Sequence, residues 1–253
     1  MHRHTVCPPP CLWLVAAWAV LCGLALPSAG RAGEEAQETK LDDEGAKKAL
    51  ASITEVFTKT PGIKAKVERQ VEMVLTGEKK PVQKAVLVLQ RPDKMLMRFE
   101  GEPNAYVVRQ LLDTSYSDYS PNTKKTNIAD FSKAPKKLAL LRAAMTGDVA
   151  VLQDYFSIEV FKSGEAGKPA QYHLVLSPRK DAPVKVDYKK IEARITAGQP
   201  FFSFVRTVPK AGDPAEEHYS DIQAAEGLSD KDFADQLIQN GPKQLDKVSD
   251  EGK

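Results

Sequence analysis

The chain has 253 residues, of which 36 are basic and 34 acidic, for a formal net charge of +2. Both tryptophans (Trp13, Trp18), all three cysteines (Cys7, Cys11, Cys22) and two of the basic residues (Arg3, Arg31) fall within the first 32 positions. From position 33 onward 34 basic residues face 34 acidic ones, and a neutral chain with no basic block excludes a nucleic-acid surface, which needs many Lys and Arg contacts. The absence of thiols there excludes disulfides, thiolate metal sites and cysteine catalysis.

Residues 1–32 carry the pattern of a secretory signal. His2, Arg3 and His4 give a weakly basic start, residues 12–26 form an apolar run, and Gly30 and Ala32 stand at −3 and −1 of a cut before Gly33. The run is shorter than the ~20 residues of a membrane helix, and no later stretch comes near that length. The alternative is acylation of Cys22 in Ala19-Val20-Leu21-Cys22-Gly23, although Leu21 stands where an acylation box has a small residue. Cleavage near Ala32 and a periplasmic address are the expectation. Roughly 220 residues then remain, which suits one domain with a substantial core.

Residues 33–45 are acidic and small, and read as a flexible lead-in. From Ala46 the apolar positions Ala49, Leu50, Ile53 and Phe57 recur at helical spacing until Pro61-Gly62 stops them. The period then changes to two. Ile63, Ala65, Val67, Val71, Met73 and Leu75 alternate with charged residues, predicting one long half-buried strand over 63–75. Further strands are predicted over 82–90, 95–99, 106–111, 116–119 and 125–128, with Arg91-Pro92-Asp93-Lys94 as a turn. Pro135 opens a helical insertion that carries Leu138, Leu141 and Met145 on one face, and Gly147 is placed to end it. Another short helical turn is expected over 148–153. Strands resume over 155–161, 172–177, 184–195, 201–208 and 218–222, separated by Gly and Pro clusters. Residues 228–238 read as helix, and 241–253 as a loose charged tail. The domain proper is thus expected over 46–240. Its class is mainly β (α+β): a curved antiparallel sheet of about ten strands, unclosed, covered by an N-terminal helix and a small helical lid.

The order helix, long alternating strand, then Val88-Leu89-Gln90-Arg91-Pro92-Asp93-Lys94-Met95-Leu96-Met97-Arg98-Phe99, Glu102-Pro103, Val107-Val108 and Tyr116-x-x-Tyr119-x-Pro121 resembles the periplasmic lipoprotein carrier LolA and the wider superfamily that includes LolB-like receptors. The resemblance spans residues 41–233. It implies an unclosed half-barrel whose helical plug moves aside for the acyl chains of a lipoprotein, taken from an inner-membrane donor complex to an outer-membrane acceptor. It also implies that Arg91 latches the lid, that Met95 and Met97 line the cavity, and that the 135–145 segment is the lid. Two departures put the cargo and partners in question. Asp113-Thr114-Ser115-Tyr116 replaces an Asp-Gly turn with an aromatic pair, and methionines replace aromatic cavity residues.

Read without the resemblance, the acyl-contact set combines the interior faces of the strands and the helical insertion: Val67, Val71, Met73, Met95, Met97, Phe99, Tyr106, Val108, Leu138, Leu141 and Met145. Each is an ordinary core residue unless the sheet has more apolar face than its helices cover. Methionine suits either role, being flexible and polarisable. Burying a sixteen-carbon chain would contribute on the order of 10 kcal/mol gross at ~0.8 kcal/mol per methylene. Lys133, Lys136 and Lys137 open the lid helix as a solvated cluster or a contact for anionic headgroups. Past the signal only His173 and His218 remain, in no metal-ligand spacing, and no nucleophile elbow or phosphate-cradling loop occurs. The expectation is a monomeric carrier with no catalytic residue, metal or cofactor, and an envelope sensor on the same scaffold is the alternative.

Overall fold

In the computed structural model, residues 38–100, 108–120, 124–165, 167–246 and 248 are described. The expectations for residues 1–32 and for Tyr106 lie outside them. Among the described residues thirteen strands form one open sheet: β1 (Thr39–Lys40), β2 (Gly62–Val71), β3 (Gln83–Gln90), β4 (Lys94–Glu100), β5 (Val108–Leu112), β6 (Ser115–Ser120), β7 (Lys125–Asp130), β8 (Phe156–Ser163), β9 (Gln171–Pro178), β10 (Tyr188–Thr196), β11 (Phe204–Pro209), β12 (Ala215–Ala224) and β13 (Lys243–Asp246). The helices are α1 (Asp43–Lys59), α2 (Pro135–Thr146), α3 (Val149–Tyr155) and α4 (Gln236–Asn240).

The strand order is β1-β8-β9-β10-β11-β12-β2-β3-β4-β5-β6-β7-β13. Every pairing is antiparallel except β13 with β7. The sheet is mainly antiparallel and not closed, as the alternation implies, but has thirteen strands rather than about ten. The two strands with no counterpart among the expected segments are edge strands, from segments read as loose. Thr39 and Lys40 pair with Lys162 and Phe161, and residues 243–246 pair with 126–129. Neither edge shows in the sequence, because a two- or four-residue strand is too short for a period to declare itself.

Three other boundaries move. The long strand stops at Val71, since Thr76 and Gly77 donate back to Met73 O and close a turn there. The strands expected from 184 and 201 begin at Tyr188 and Phe204. The helix expected over 228–238 is a 3₁₀ turn, Asp230–Phe233, capped reciprocally by Ser229 and Asp232, followed by the short α4.

α1 begins where Asp42 accepts from the Gly45 N–H at 2.8 Å, and it buries Ala49, Leu50, Ile53 and Phe57 against the sheet. Pro135 occupies the first turn of α2 and Gly147 ends it in the left-handed region (φ 65°). A Cβ at Gly147 would lie 2.9 Å from the Phe57 ring, so the glycine also permits the close seating of α2 on α1. One large cluster joins the helices to the inner face of β2–β4 and β8–β11. A second, smaller cluster lies on the opposite face, where Leu96 and Val108 meet Phe233 and Ile238.

Candidate functional site

Helices and sheet do not meet evenly. Between α1–α3 and the β8–β11 half of the sheet lies a cavity of about 70 Å³. Its roof is Leu50 and Ile53 of α1, Leu140 and Ala144 of α2, and Leu152 of α3. Its wall is Ile158, Leu174, Ile191, Ala193, Val205 and Thr207, taken from successive strands. Thr207 is the one residue of this lining with a polar side chain. On the β2–β4 half the same inner face is filled: Met95, Met97 and Met145 pack against Leu87, Leu89, Phe201 and Tyr219 and leave only about 10 Å³.

The residues expected to line an acyl site are therefore scattered. Val67, Met95, Met97, Phe99, Leu138, Leu141 and Met145 belong to the main core, away from the larger cavity. Val71 sits with Ala215 in a separate pair at the end of β2. Met73 lies beyond β2, in the turn, half-buried. Val108 is corrected to the outer face, because its strand is apolar on both sides and alternation alone could not assign the phase. The cavity's own lining on β8–β11 went unread. Its strands look like ordinary core strands, and an empty space has no residue signature.

Arg91 directly follows β3 and is buried. Its Nε donates to Met145 O at 2.6 Å, its Nη2 to Pro200 O at 2.7 Å, and its Nη1 to Thr60 O. Thr60 is the residue that caps the C-terminus of α1 and Met145 lies in the last turn of α2, so the guanidinium caps carbonyls that the helices leave unpaired. Its carbon stands 4.4 Å from the centre of the Phe57 ring. Burial lowers its pKa to about 10, which leaves it charged at neutral pH. α2 is further tied by Arg142 Nη2 to Asp93 Oδ2 at 3.2 Å, and Thr54 Oγ1 donates to Gly147 O at 2.7 Å. The Arg91 fork gathers α1, α2 and the 200-loop at one end of the concave face.

The other end is ionic. Arg69 Nε lies 3.1 Å from Glu217 Oε1, with both side chains almost wholly buried (1% and 0% exposed). Tyr219 Oη donates to Glu217 Oε2, and Arg109 Nε stands 3.7 Å from Asp118 Oδ1 and its guanidinium faces the Phe99 ring. Burial raises the Glu217 pKa to about 7 against the opposing pull of Arg69 and Arg109, and raises that of Asp118 as well. This cluster was missed at the sequence level, yet it leaves a signal: Arg69 falls in the interior phase of β2, between Val67 and Val71.

Elsewhere, His173 Nδ1 is 2.9 Å from Glu38 Oε2 and His218 packs beside Phe204. Of the three lid lysines, Lys137 is buried. No group of acidic, His or Cys side chains is arranged to hold a metal among the described residues, and no helix there is long and apolar enough to cross a membrane.

No protein-family model and no curated protein matches the chain. Among solved structures it is similar to a LolA superfamily protein from Nitrosomonas europaea, at 11% identity and a TM-score of 0.39, over 76% of this chain and 99% of that one. A domain assigned to outer membrane lipoprotein sorting, from Vibrio parahaemolyticus, matches at 13% identity and a TM-score of 0.41, over 77% and 100% of the two chains. The MucA/MucB complex of Pseudomonas aeruginosa matches at 13% identity and a TM-score of 0.42, over 77% of this chain and 62% of that one. At such identities function has to be read from this chain's own residues.

Proposed function

We propose that this protein is a non-catalytic carrier of the cell envelope that takes an acyl chain beneath its helical insertion. The observation that carries the reading is the apolar cavity between α1–α3 and β8–β11. The cavity of about 70 Å³ is small beside the ~300–1,000 Å³ of typical ligand sites, so loading requires α2 and α3 to rise. Their moorings suit that motion. The Arg91 fork holds helix-terminal carbonyls, which water can satisfy when they are released.

The N-terminal signal pattern supports the envelope address, and the mature protein is expected to begin near Gly33 as a monomer without cofactor; an intact mass showing an acylated Cys22 would overturn that address. Lipid or lipoprotein acyl chains are the cargo class, passed between an inner-membrane donor and an outer-membrane acceptor.

The test fills the cavity from its roof. Ala144 lies on α2 and lines it, so Ala144→Phe removes room for about two methylenes and is expected to weaken uptake of a fluorescent fatty-acyl probe roughly tenfold. Unchanged uptake in a folded variant would sink the assignment of the acyl site to this cavity.

A further inference from the structure

Thr207 departs from its surroundings in two ways. It is the polar residue in an otherwise apolar cavity lining, and it is 1% exposed with an Oγ1 that has no hydrogen-bond partner. An unpaired buried hydroxyl costs free energy in a dry wall, and a ligand group that bonded it would recover that cost.

Its position along the cavity gives direction. Phe202 lines the same cavity beside Pro200 and Phe201, the loop that Arg91 holds. Five residues on, Thr207 pairs across to Ala215, one pleat from Glu217, which itself pairs with Arg69. The cavity wall thus runs from the Arg91 end towards the buried ionic cluster, and Thr207 marks the ionic end.

We propose that the cavity takes an unesterified long-chain fatty acid head first, its carboxyl hydrogen-bonded to Thr207 Oγ1 and its tail lying under α1–α3 towards the Arg91 end. This rests on the acyl-binding reading above and narrows its ligand. A lipoprotein or acylated peptide, whose head is a polypeptide, cannot enter in this sense and has to present its tail first. The hydroxyl serves either form of the head, donating to a carboxylate or accepting from a carboxylic acid. Beyond it lie Arg69 and Arg109, each already set against a carboxylate, Glu217 and Asp118, so the hydroxyl of Thr207 is the group that receives the head.

The experiment compares palmitic acid with an N-palmitoylated hexapeptide as competitors for a fluorescent fatty-acyl probe, on wild type, Thr207→Val and Thr207→Ser. Val matches Thr in shape and lacks the hydroxyl, and Ser keeps it. Thr207→Val is expected to weaken palmitic acid roughly five- to tenfold, the effect of one hydrogen bond. The peptide should change by less than about twofold, and Thr207→Ser should hold palmitic acid near wild type. Equal effects on both competitors, or no effect on palmitic acid in a folded Val variant, would overturn head-first binding while the acyl site stands. Failure of wild type to bind either compound would remove the acyl reading and this inference together.

Discussion

Arginine is buried at both ends of the concave face, and the two burials are built differently. At one end Arg91 gives its fork to three backbone carbonyls and its face to a phenylalanine ring. At the other, Arg69 and Arg109 stand against Glu217 and Asp118. A carbonyl at a helix end loses little when the donor leaves, because water replaces it. A buried carboxylate that loses its arginine keeps an uncompensated charge, and that costs several kcal/mol. Under the proposed function the Arg91 end is the one that opens and closes, whereas the ionic end ties β2 to β12 and β5 to β6.

The largest break in that comparison is Arg69→Leu. It removes the ion-pair partner of Glu217, leaving it the Tyr219 hydroxyl, and is expected to cost about 3–5 kcal/mol, read as a lower midpoint in urea unfolding. A cost below about 1 kcal/mol would mean that the pair is not a structural anchor.

Protonation sharpens the same end. The folded pKa of Glu217 is raised to about 7 from 4.5, so between those values the folded chain holds a proton that the unfolded chain has lost. This contribution is complete below about pH 4.5 and is lost as pH rises through about 7, at up to ~1.4 kcal/mol per unit. Asp118, also raised by burial, acts in the same direction. The facing groups are Arg69 on β2, Arg109 on β5, Tyr116 on β6, Tyr188 on β10 and Tyr219 on β12. Urea midpoints should fall between about pH 4.5 and 7 in wild type, level off above that, and stay flatter in Glu217→Gln. Parallel profiles would remove Glu217 as the titrating group.

The smallest expected stability change is at the Arg91 end. Arg91→Leu forfeits three charged hydrogen bonds, but their acceptors turn to water, so the net loss is expected on the scale of one such bond, about 1.5–3 kcal/mol. Its main effect should be kinetic: loading of an acyl probe at least as fast as wild type, with slower transfer to acceptor vesicles as the closed form becomes harder to regain. Lys restores the charge but not the fork and should rescue in part. Equal transfer rates in all three proteins would reduce Arg91 to a structural residue.

The sequence made the ladder legible because one face of β2 or β3 is wet and the other dry, and a period of two results. β5 resisted, since the 228–240 segment covers its outer face while the core covers its inner one, so Val108 and Leu111 are both buried on opposite sides. Arg91 could be placed from its Arg-Pro context at a strand end. The ionic cluster was within reach too: Glu217 shares a phase with Ala215 and Tyr219, and a charge in an interior phase has to be paired. The cavity was not within reach, because it depends on how high α1–α3 stand above the β8–β11 half. That height is set by side chains from seven elements at once.

β7 and β8 follow one another in sequence but lie near opposite rims of the sheet, each screened only by one short outer strand. Residues 131–155, with α2 and α3 in them, run from rim to rim as a chord spans an arc. A twelve-residue helix such as α2 has a fixed length of about 18 Å. A guest swelling the interior therefore cannot splay the rims apart without drawing that chord taut. The interior gains volume by the chord bowing away from the arc, so how far the insertion lifts and how tightly the sheet is curled are one mechanical variable.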